Sequence, residues 1–304
     1  GSGTAQDNLT HFEPVSNTGI HRAVVINAVS INGFELTVGD EIAVFDEDFC
    51  VGAEAVTESF EPIAISSILK VSLPTGEELP GATSGRPIIY KIWDSETNSE
   101  FRAYASQYSS GNGTFGQSYT IVSTLTANIS AVTIRTEPAG LDFTLNEKTY
   151  TTDATGKKIQ LCNQGSQNTI SIDTVASTGE AGVRYSFDSW SDGKPWEHTF
   201  TTPSSDWTLT AAYNIEYLLT VTGVHAATTG SGWYAAGDEA DFSIAETIVL
   251  PNGPDVRYEF LKWEGAYTGS AASATVTMDS AITETAVWQK QFRLTTEAIP
   301  DTGG

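Results

Sequence analysis

Four of the five acidic side chains between residues 40 and 48 are candidate metal ligands. Asp40, Glu41, Asp46 and Asp48 belong to a turn-rich stretch, residues 39–52, which the pattern predicts to be a hairpin. Asp46 and Asp48 are two positions apart, so an extended chain places them on one face. Calcium takes six to eight oxygen ligands, so two or three carboxylates with backbone carbonyls would suffice. The spacing is compatible with a Ca²⁺ site, and a solvated turn is the alternative, since Asp is common in turns.

Three aromatic residues are candidate ligand-binding residues. Trp196 follows a turn-like stretch at 192–195, and Trp233 and Tyr234 follow the glycine-rich residues 230–232. Aromatic rings on loops can stack on the apolar face of a sugar ring, as on other flat apolar surfaces. These positions indicate polysaccharide as a possible partner. The alternative for Trp233 is that it covers one end of its own core.

Other sequence features argue against catalysis. The histidines His11, His21, His198 and His225 are scattered and lack the spacing of metal ligands. The chain has no nucleophile-elbow, zinc-protease or phosphate-binding motif. Any acidic chain supplies carboxylates for glycoside hydrolysis, but nothing singles out a pair. We therefore predict no catalytic residue, no cofactor other than Ca²⁺, and no enzyme activity.

Charge, hydropathy and cysteine content further limit the classes of partner that the chain is expected to bind. Fifteen Lys and Arg against 38 Asp and Glu give a formal net charge of −23, which repels phosphate backbones and argues against nucleic acid. No apolar run approaches the roughly 18 residues of a membrane span. Cys50 and Cys162 lie in different predicted domains, and the sequence leaves open whether they are free or bridged.

The elements that would position these residues are short strands. Alternating runs such as residues 24–29 and 218–222 suit half-buried strands, and turn residues recur every 8–12 positions or so. No window keeps apolar residues at helical spacing. The chain is therefore predicted to be all-β, with three small tandem β-sandwich-like domains.

An internal repeat is the strongest pattern in the sequence. Phe187 and Phe260 are 73 positions apart, and so are Trp190 and Trp263. A unit of this size has little interior, so these aromatic side chains are expected to fill it. A third copy begins at Phe292, and we expect the natural protein to continue with more copies.

These patterns predict the domain boundaries. The prediction is an N-terminal arm at 1–8, a β-sandwich domain at 9–127, a first repeat at 128–214, a second repeat at 215–290 and the start of a further repeat at 291–304. Residues 1–10 are either a free arm or a segment donated to a neighbouring copy.

The second repeat resembles the divergent internalin-B-type bacterial repeats, which are small all-β modules found in tandem on secreted and surface proteins. The resemblance rests on four blocks: residues 217–221, 232–237, 257–263 and 276–279. The first repeat keeps Tyr185, Phe187, Trp190 and Gly193 and resembles a more distant relative. It lacks the Gly-Trp-Tyr-x-x-Gly block and begins with Thr-Glu-Pro-Ala-Gly at 136–140 instead.

Residues 9–127 resemble a domain common in large secreted proteins of Bacteroidetes-like bacteria. Residues 39–46, 50–53 and 88–94 carry this likeness. The two resemblances together imply an extracellular or cell-surface location and specify architecture more than activity.

Three functions follow as hypotheses. The leading one is a non-catalytic stalk or adhesin-like structural segment of a bacterial surface or secreted protein. The second is a carbohydrate-binding accessory region of a polysaccharide-degrading enzyme. The third is a subunit of an extracellular filament that associates with neighbouring copies of itself through strand edges.

Overall fold

The computed structural model describes residues 8–15, 19–57, 62–250 and 255–297. Strands dominate these residues, and none of them forms a helix element, so the all-β prediction is confirmed. Across the described ranges, there is no helix with the length and apolar character that a membrane crossing requires. Of the predicted arm at 1–8, only Asn8 is described, and residues 298–304 of the predicted further repeat also lie outside the described ranges.

The chain divides into two compact units, each built from discontinuous segments. The first contains residues 1–134, 158–169 and 199–208, and the second contains residues 135–157, 170–198 and 209–304. The three-domain division stays a prediction.

Eleven strands are described before residue 128. They are β1 (Ile20–Ile26), β2 (Val29–Ile31), β3 (Phe34–Glu35), β4 (Glu41–Asp46), β5 (Phe49–Ala55), β6 (Ile63–Leu69), β7 (Val71–Ser72), β8 (Glu78–Leu79), β9 (Ile89–Asp94), β10 (Ser99–Ser110) and β11 (Tyr119–Ala127). The predicted strand at 24–29 is interrupted at residues 27–28, where β1 ends and β2 begins. The predicted turn between β4 and β5 forms at Glu47 and Asp48, and Glu47 adopts a positive φ of 55°.

Most strands of the first unit form one mainly antiparallel sheet. Its path runs β3-β2-β11-β10-β9-β4-β5, and β1 joins it by parallel pairing with β11 and antiparallel pairing with β6. Strand β4 is buried along its whole length. Ile42 and Val44 face the main core, whereas Ala43 and Phe45 belong to a second apolar cluster that contains Phe12. The segment of residues 9–15, the N-terminal strap, therefore covers the outer face of β4.

The remaining strands run from residue 129 to residue 292. They are β12 (Ile129–Glu137), β13 (Asp142–Leu145), β14 (Lys148–Thr151), β15 (Lys157–Asn163), β16 (Gln167–Ile172), β17 (Val175–Ser177), β18 (Val183–Trp190), β19 (Glu197–Thr201), β20 (Trp207–Thr222), β21 (Thr228–Thr229), β22 (Gly232–Ala235), β23 (Glu239–Ile244), β24 (Ile248–Val249), β25 (Val256–Glu264), β26 (Ser273–Thr277) and β27 (Ile282–Phe292).

The two copies of the aromatic motif adopt the same pairing in the second unit. In β18 and β20, Phe187 lies opposite Tyr213, and the register shifts at the next position. In β25 and β27, Phe260 lies opposite Trp288, and the same shift follows. A bulge at this point turns the next aromatic residue, a tryptophan in both copies, into the interior.

Both of these tryptophans are buried and hydrogen-bonded. The Trp190 indole N–H donates to the carbonyl oxygen of Trp196 at 3.2 Å, and that of Trp263 donates to the carbonyl oxygen of Ala271 at 3.0 Å. Phe242 packs edge-on against Trp263 with ring centroids 4.9 Å apart. Each ring thus fills the interior of its repeat and also fixes the following loop.

Replacing Trp263 with alanine is expected to lower the free energy of unfolding by about 3–5 kcal/mol, because it removes a fully buried ring and its hydrogen bond. Urea denaturation followed by circular dichroism measures the loss. Trp196→Ala is the matched control, since its ring is exposed, and it should cost less than about 1 kcal/mol. Equal losses in the two variants would contradict the assignment of Trp263 to the core.

Candidate functional site

The carboxylate of Glu41 is buried and holds the N-terminal strap. It accepts hydrogen bonds from the backbone N–H groups of Thr10, His11 and Phe12, and from the Thr10 hydroxyl group. The bond from His11 N is 3.0 Å long and that from Phe12 N is 2.9 Å. This carboxylate therefore satisfies three backbone donors and the hydroxyl group from one short segment.

Asp40, the residue directly before Glu41, plays a similar part. One carboxylate oxygen accepts a 2.7 Å bond from the Thr37 backbone N–H, and the other accepts 2.9 Å bonds from the backbone N–H and hydroxyl group of Ser95. Asp40 is buried. Its side chain joins the turn before β4 to the turn after β9.

Asp46 and Asp48 differ in their surroundings, although the sequence predicts that they share a face. Asp46 is buried; it accepts a 2.8 Å bond from the Thr83 backbone N–H and lies 3.4 Å from an Arg86 nitrogen. Asp48 is exposed in the turn. The loop that contains Thr83 and Arg86 is thus fixed to the end of β4.

The predicted Ca²⁺ ligands are therefore occupied by backbone donors at three of four positions. Within the described part of the chain, no group of three or more His, Cys, Asp or Glu side chains is arranged to hold a metal ion. The arrangement lends no support to Ca²⁺ at this cluster, and the site remains a sequence-based prediction.

The three aromatic ligand candidates lie in different environments. The Trp233 ring lies under the guanidinium group of Arg184, whose carbon is 4.3 Å from the ring centroid. Tyr234 packs against the core of the second repeat, and its hydroxyl group donates to the Gly230 carbonyl oxygen at 2.8 Å. Trp196 is 45% exposed. Of these three residues, Trp196 alone presents an exposed ring.

The backbone under Trp196 is fixed. Its carbonyl oxygen accepts hydrogen bonds from the Trp190 indole and, at 3.3 Å, from the Ile172 backbone N–H. Next to it, the His198 Nε2 atom lies 3.2 Å from an Asp192 carboxylate oxygen, and the His198 side chain is buried against Trp190. A rigid turn therefore carries this exposed ring.

Sequence reasoning missed the strap and its aromatic contact. The His11 ring stacks on Trp93, with ring centroids 3.7 Å apart and planes 4° from parallel. The Nε2 atom of His11 also lies 3.1 Å from Glu100, which pairs with Lys91 at 2.8 Å. In two of these contacts the partners are more than 80 positions apart in the sequence. A pattern of neighbouring residues therefore cannot predict them.

Sequence reasoning also missed a set of contacts between the two repeats. We call the three residues that make it, Arg184, Glu216 and Trp233, the repeat joint. The Nε atom of Arg184 donates to a Glu216 carboxylate oxygen at 2.6 Å, while the Trp233 ring covers the guanidinium group. Glu216 and its strand neighbour Tyr217 pair with β18 on one side and with β22 on the other.

The acid–base properties of the first unit follow from this geometry. Burial alone raises the pKa of Glu41, but the hydrogen bonds from Phe12, Thr10 and His11 outweigh it, so the pKa is lowered. Burial likewise acts to raise the pKa of Glu100, and hydrogen bonds from Lys91 and His11 bring it below its ordinary value. Both groups are held in the charged form.

The two cysteines are free thiols. Burial raises the pKa of Cys50 to about 11 and also raises that of Cys162. The thiolate is the nucleophilic form, so neither thiol is activated near neutral pH.

No protein-family model and no curated protein matches the chain. Among solved structures, a double mutant of the shaft pilin SpaA from Lactobacillus rhamnosus GG is 8% identical, and the match covers 64% of this chain and 98% of that chain with a TM-score of 0.24. The Bacillus anthracis TIE protein is 13% identical over 90% of this chain and 45% of that chain, with a TM-score of 0.24. A streptococcal ancillary pilin is 8% identical over 88% of this chain and 99% of that chain, with a TM-score of 0.22. TM-scores this low carry no argument about fold or function.

Glu41→Gln is expected to destabilise the first unit by about 3 kcal/mol at pH 7, because hydrogen bonds to a charged acceptor are worth about 1.5–3 kcal/mol each. The folded pKa lies below the ordinary value of 4.5. The charged group therefore stabilises the fold above that pH, and the contribution is lost as pH falls through the folded pKa. The difference between wild type and variant should be constant above about pH 5 and shrink below about pH 4.

Urea unfolding at a series of pH values measures this difference. Glu35→Gln is the control, since it removes the same charge from an exposed position and should have little effect at any pH. A difference for Glu41→Gln that stays the same at pH 3 and pH 7 would count against the role of this carboxylate.

Proposed function

We propose that this chain is a non-catalytic structural segment of an extracellular or cell-surface protein, and that its repeats form a stiff shaft. One observation carries this proposal: the 16-residue strand β20 ends one repeat and begins the next. Residues 211–217 pair with β18 of the first copy, and residues 219–222 pair in parallel with β27 of the second copy.

The transition between the copies has no unpaired stretch. Glu216 and Tyr217 are bonded on both sides, and Leu219 pairs with Gly232 and Ile282. A flexible linker needs residues whose backbone groups are free to rotate. Hydrogen bonding on both sides removes that freedom, so the shared strand couples the two copies mechanically.

The repeat joint adds side-chain contacts to this coupling. The Arg184 charge is paired with Glu216 and stacked on Trp233, and an Arg–aromatic contact contributes about 0.5–2 kcal/mol depending on its exposure. The two residues that Arg184 contacts lie at the start of the second copy. A shaft requires such contacts, because nearest-neighbour interfaces contribute much of the stability of repeat arrays.

Pulling on single molecules tests the shaft proposal. When the chain is stretched between its two ends in an atomic force microscope, residues 170–198 and 209–292 are expected to open in one event, because the shared strand links both copies. Inserting Gly-Ser-Gly-Ser between Glu216 and Tyr217 should split this event in two. The same insertion in the turn between Gly179 and Glu180 is the control and should leave one event. Two separate events in the unaltered chain would refute the proposal.

Carbohydrate binding is a second candidate, and the exposed Trp196 ring on its fixed turn favours it. Asp192 and Lys194 lie in the same turn. The Asp192 carboxylate could accept hydrogen bonds from sugar hydroxyl groups, and the Lys194 ammonium group could donate to them. The other two aromatic candidates are engaged in packing, so any binding should depend on Trp196.

Affinity electrophoresis against a panel of polysaccharides tests this second candidate. Retardation of the wild type by one glycan and its loss in Trp196→Ala, with Trp233→Ala unchanged, is the result expected of a binding module. Equal mobility of wild type and Trp196→Ala on every glycan would remove it.

A further inference from the structure

The end of the second copy has the backbone geometry that forms the repeat joint in the first copy. Arg257 Nε donates to Gln291 at 2.6 Å, as Arg184 Nε donates to Glu216. The Arg293 backbone N–H bonds the Asp255 carbonyl oxygen at 2.9 Å, as the Leu218 N–H bonds that of Gly182. The last strand thus continues along the path that β20 follows into the next copy.

The two copies differ in whether equivalent leucine side chains after this joint are covered by other residues. Leu219, which follows Leu218 in β20, is 0% exposed in the core of the second copy, whereas Leu294, which follows Arg293, is 86% exposed. Phe292 is also 71% exposed. Apolar area exposed to water costs roughly 25 cal/mol per Å², so a surface that covers both side chains would be stabilising.

A recess of about 300 Å³ lies beside these residues. Its lining consists of Arg257, Gln291, Phe292 and Arg293. The Glu259 carboxylate contacts both Arg257 and Gln291. It lies 3.7 Å from the Arg257 guanidinium group and accepts a 2.6 Å hydrogen bond from the Gln291 amide. In the first copy, the face of the equivalent guanidinium group is covered by Trp233.

We propose that this end of the second copy is a docking surface for a further repeat of the same class. The leading hairpin of that repeat would lay an aromatic side chain on Arg257, as Trp233 lies on Arg184, and its core would enclose Leu294. We identify the occupant as a further repeat because β27 and the residue after it make the same hydrogen bonds as β20 does at the repeat joint. The proposal rests on the shaft function proposed above and names the contacts through which the shaft is extended.

The recess itself favours a protein partner over a small molecule. Two arginines, a glutamine and one phenylalanine form its lining, whereas small-molecule sites are concave and mostly apolar. Among the described strands, none pairs with the residues after Thr285 on the side of β27 away from β25. Such an edge, next to an exposed leucine and phenylalanine, is suited to strand addition.

An extended chain tests the docking surface. A second copy of residues 219–289 is joined directly after Arg293, so that its first leucine takes the place of Leu294 in the register. Hydrogen exchange followed by mass spectrometry is then measured on residues 288–293. We expect exchange to be at least about tenfold slower than in the unextended chain, because the edge becomes paired and covered.

Two variants of the extended chain make the test specific. Arg257→Ala should lose most of the added protection, and so should an extended chain in which alanine replaces the counterpart of Trp233 in the added copy. Lys262→Ala is the control, since its ammonium group pairs with the adjacent Glu264, and it should keep the protection.

The outcomes separate this proposal from the shaft proposal. Unchanged exchange at residues 288–293 would overturn the docking surface, whether or not the added copy folds, while the pulling experiment judges the shaft independently. Protection that survives both Arg257→Ala and loss of the tryptophan would overturn the proposed contact. Protection that rises with concentration in the unextended chain would identify a second copy of the chain as the occupant and would also overturn it.

Discussion

The second unit depends on the hydrogen bonding of one strand on both of its sides. Strand β20 contributes its first part to one copy and its last part to the next, and residues 216 and 217 serve both. A small repeat buries a small fraction of its surface and is only marginally stable, so surface shared with its neighbour adds to its stability. Leu219 shows this sharing: its backbone belongs to the strand that closes the first copy, while its side chain lies in the core of the second. In the proposed shaft, stiffness and stability therefore have the same source.

The first unit uses buried carboxylates for a comparable purpose. Asp40, Glu41 and Asp46 all lie on or next to β4, and each accepts backbone N–H groups from a different segment. A buried carboxylate is costly unless such donors compensate it, and a loop with unpaired N–H groups is costly as well. Pairing the two removes both penalties. This explains how these acidic residues can be buried in a chain of net charge −23.

The sequence predicts the strands well and the contacts between them poorly. Alternation and turn residues predict the all-β class and the turn at Glu47, because both depend on neighbours in the chain. The 73-residue spacing finds Trp190 and Trp263, because a repeated core needs the same ring twice. The sequence predicts Glu41 either as a Ca²⁺ ligand or as part of a solvated turn. Its hydrogen-bond partners in the structure include backbone groups 29–31 positions earlier, which carry no side-chain signature. Trp233 was expected to bind a ligand or cover its own core, and its charged partner Arg184 lies in the other copy.

In this chain, residue types that usually indicate ligand binding serve the fold. Loop aromatics and clustered acids are the residues that usually indicate binding, yet here Trp233 and Glu41 are occupied by the protein itself. Their partners become visible only when strands from distant sequence positions are placed side by side. In the second copy, Arg257 is the counterpart of Arg184: Gln291 takes the place of Glu216, and a Glu259 carboxylate oxygen lies 3.7 Å from the Arg257 guanidinium group. A guanidinium face attracts an aromatic ring, so the chemistry of this end complements a hairpin of the kind that carries Trp233.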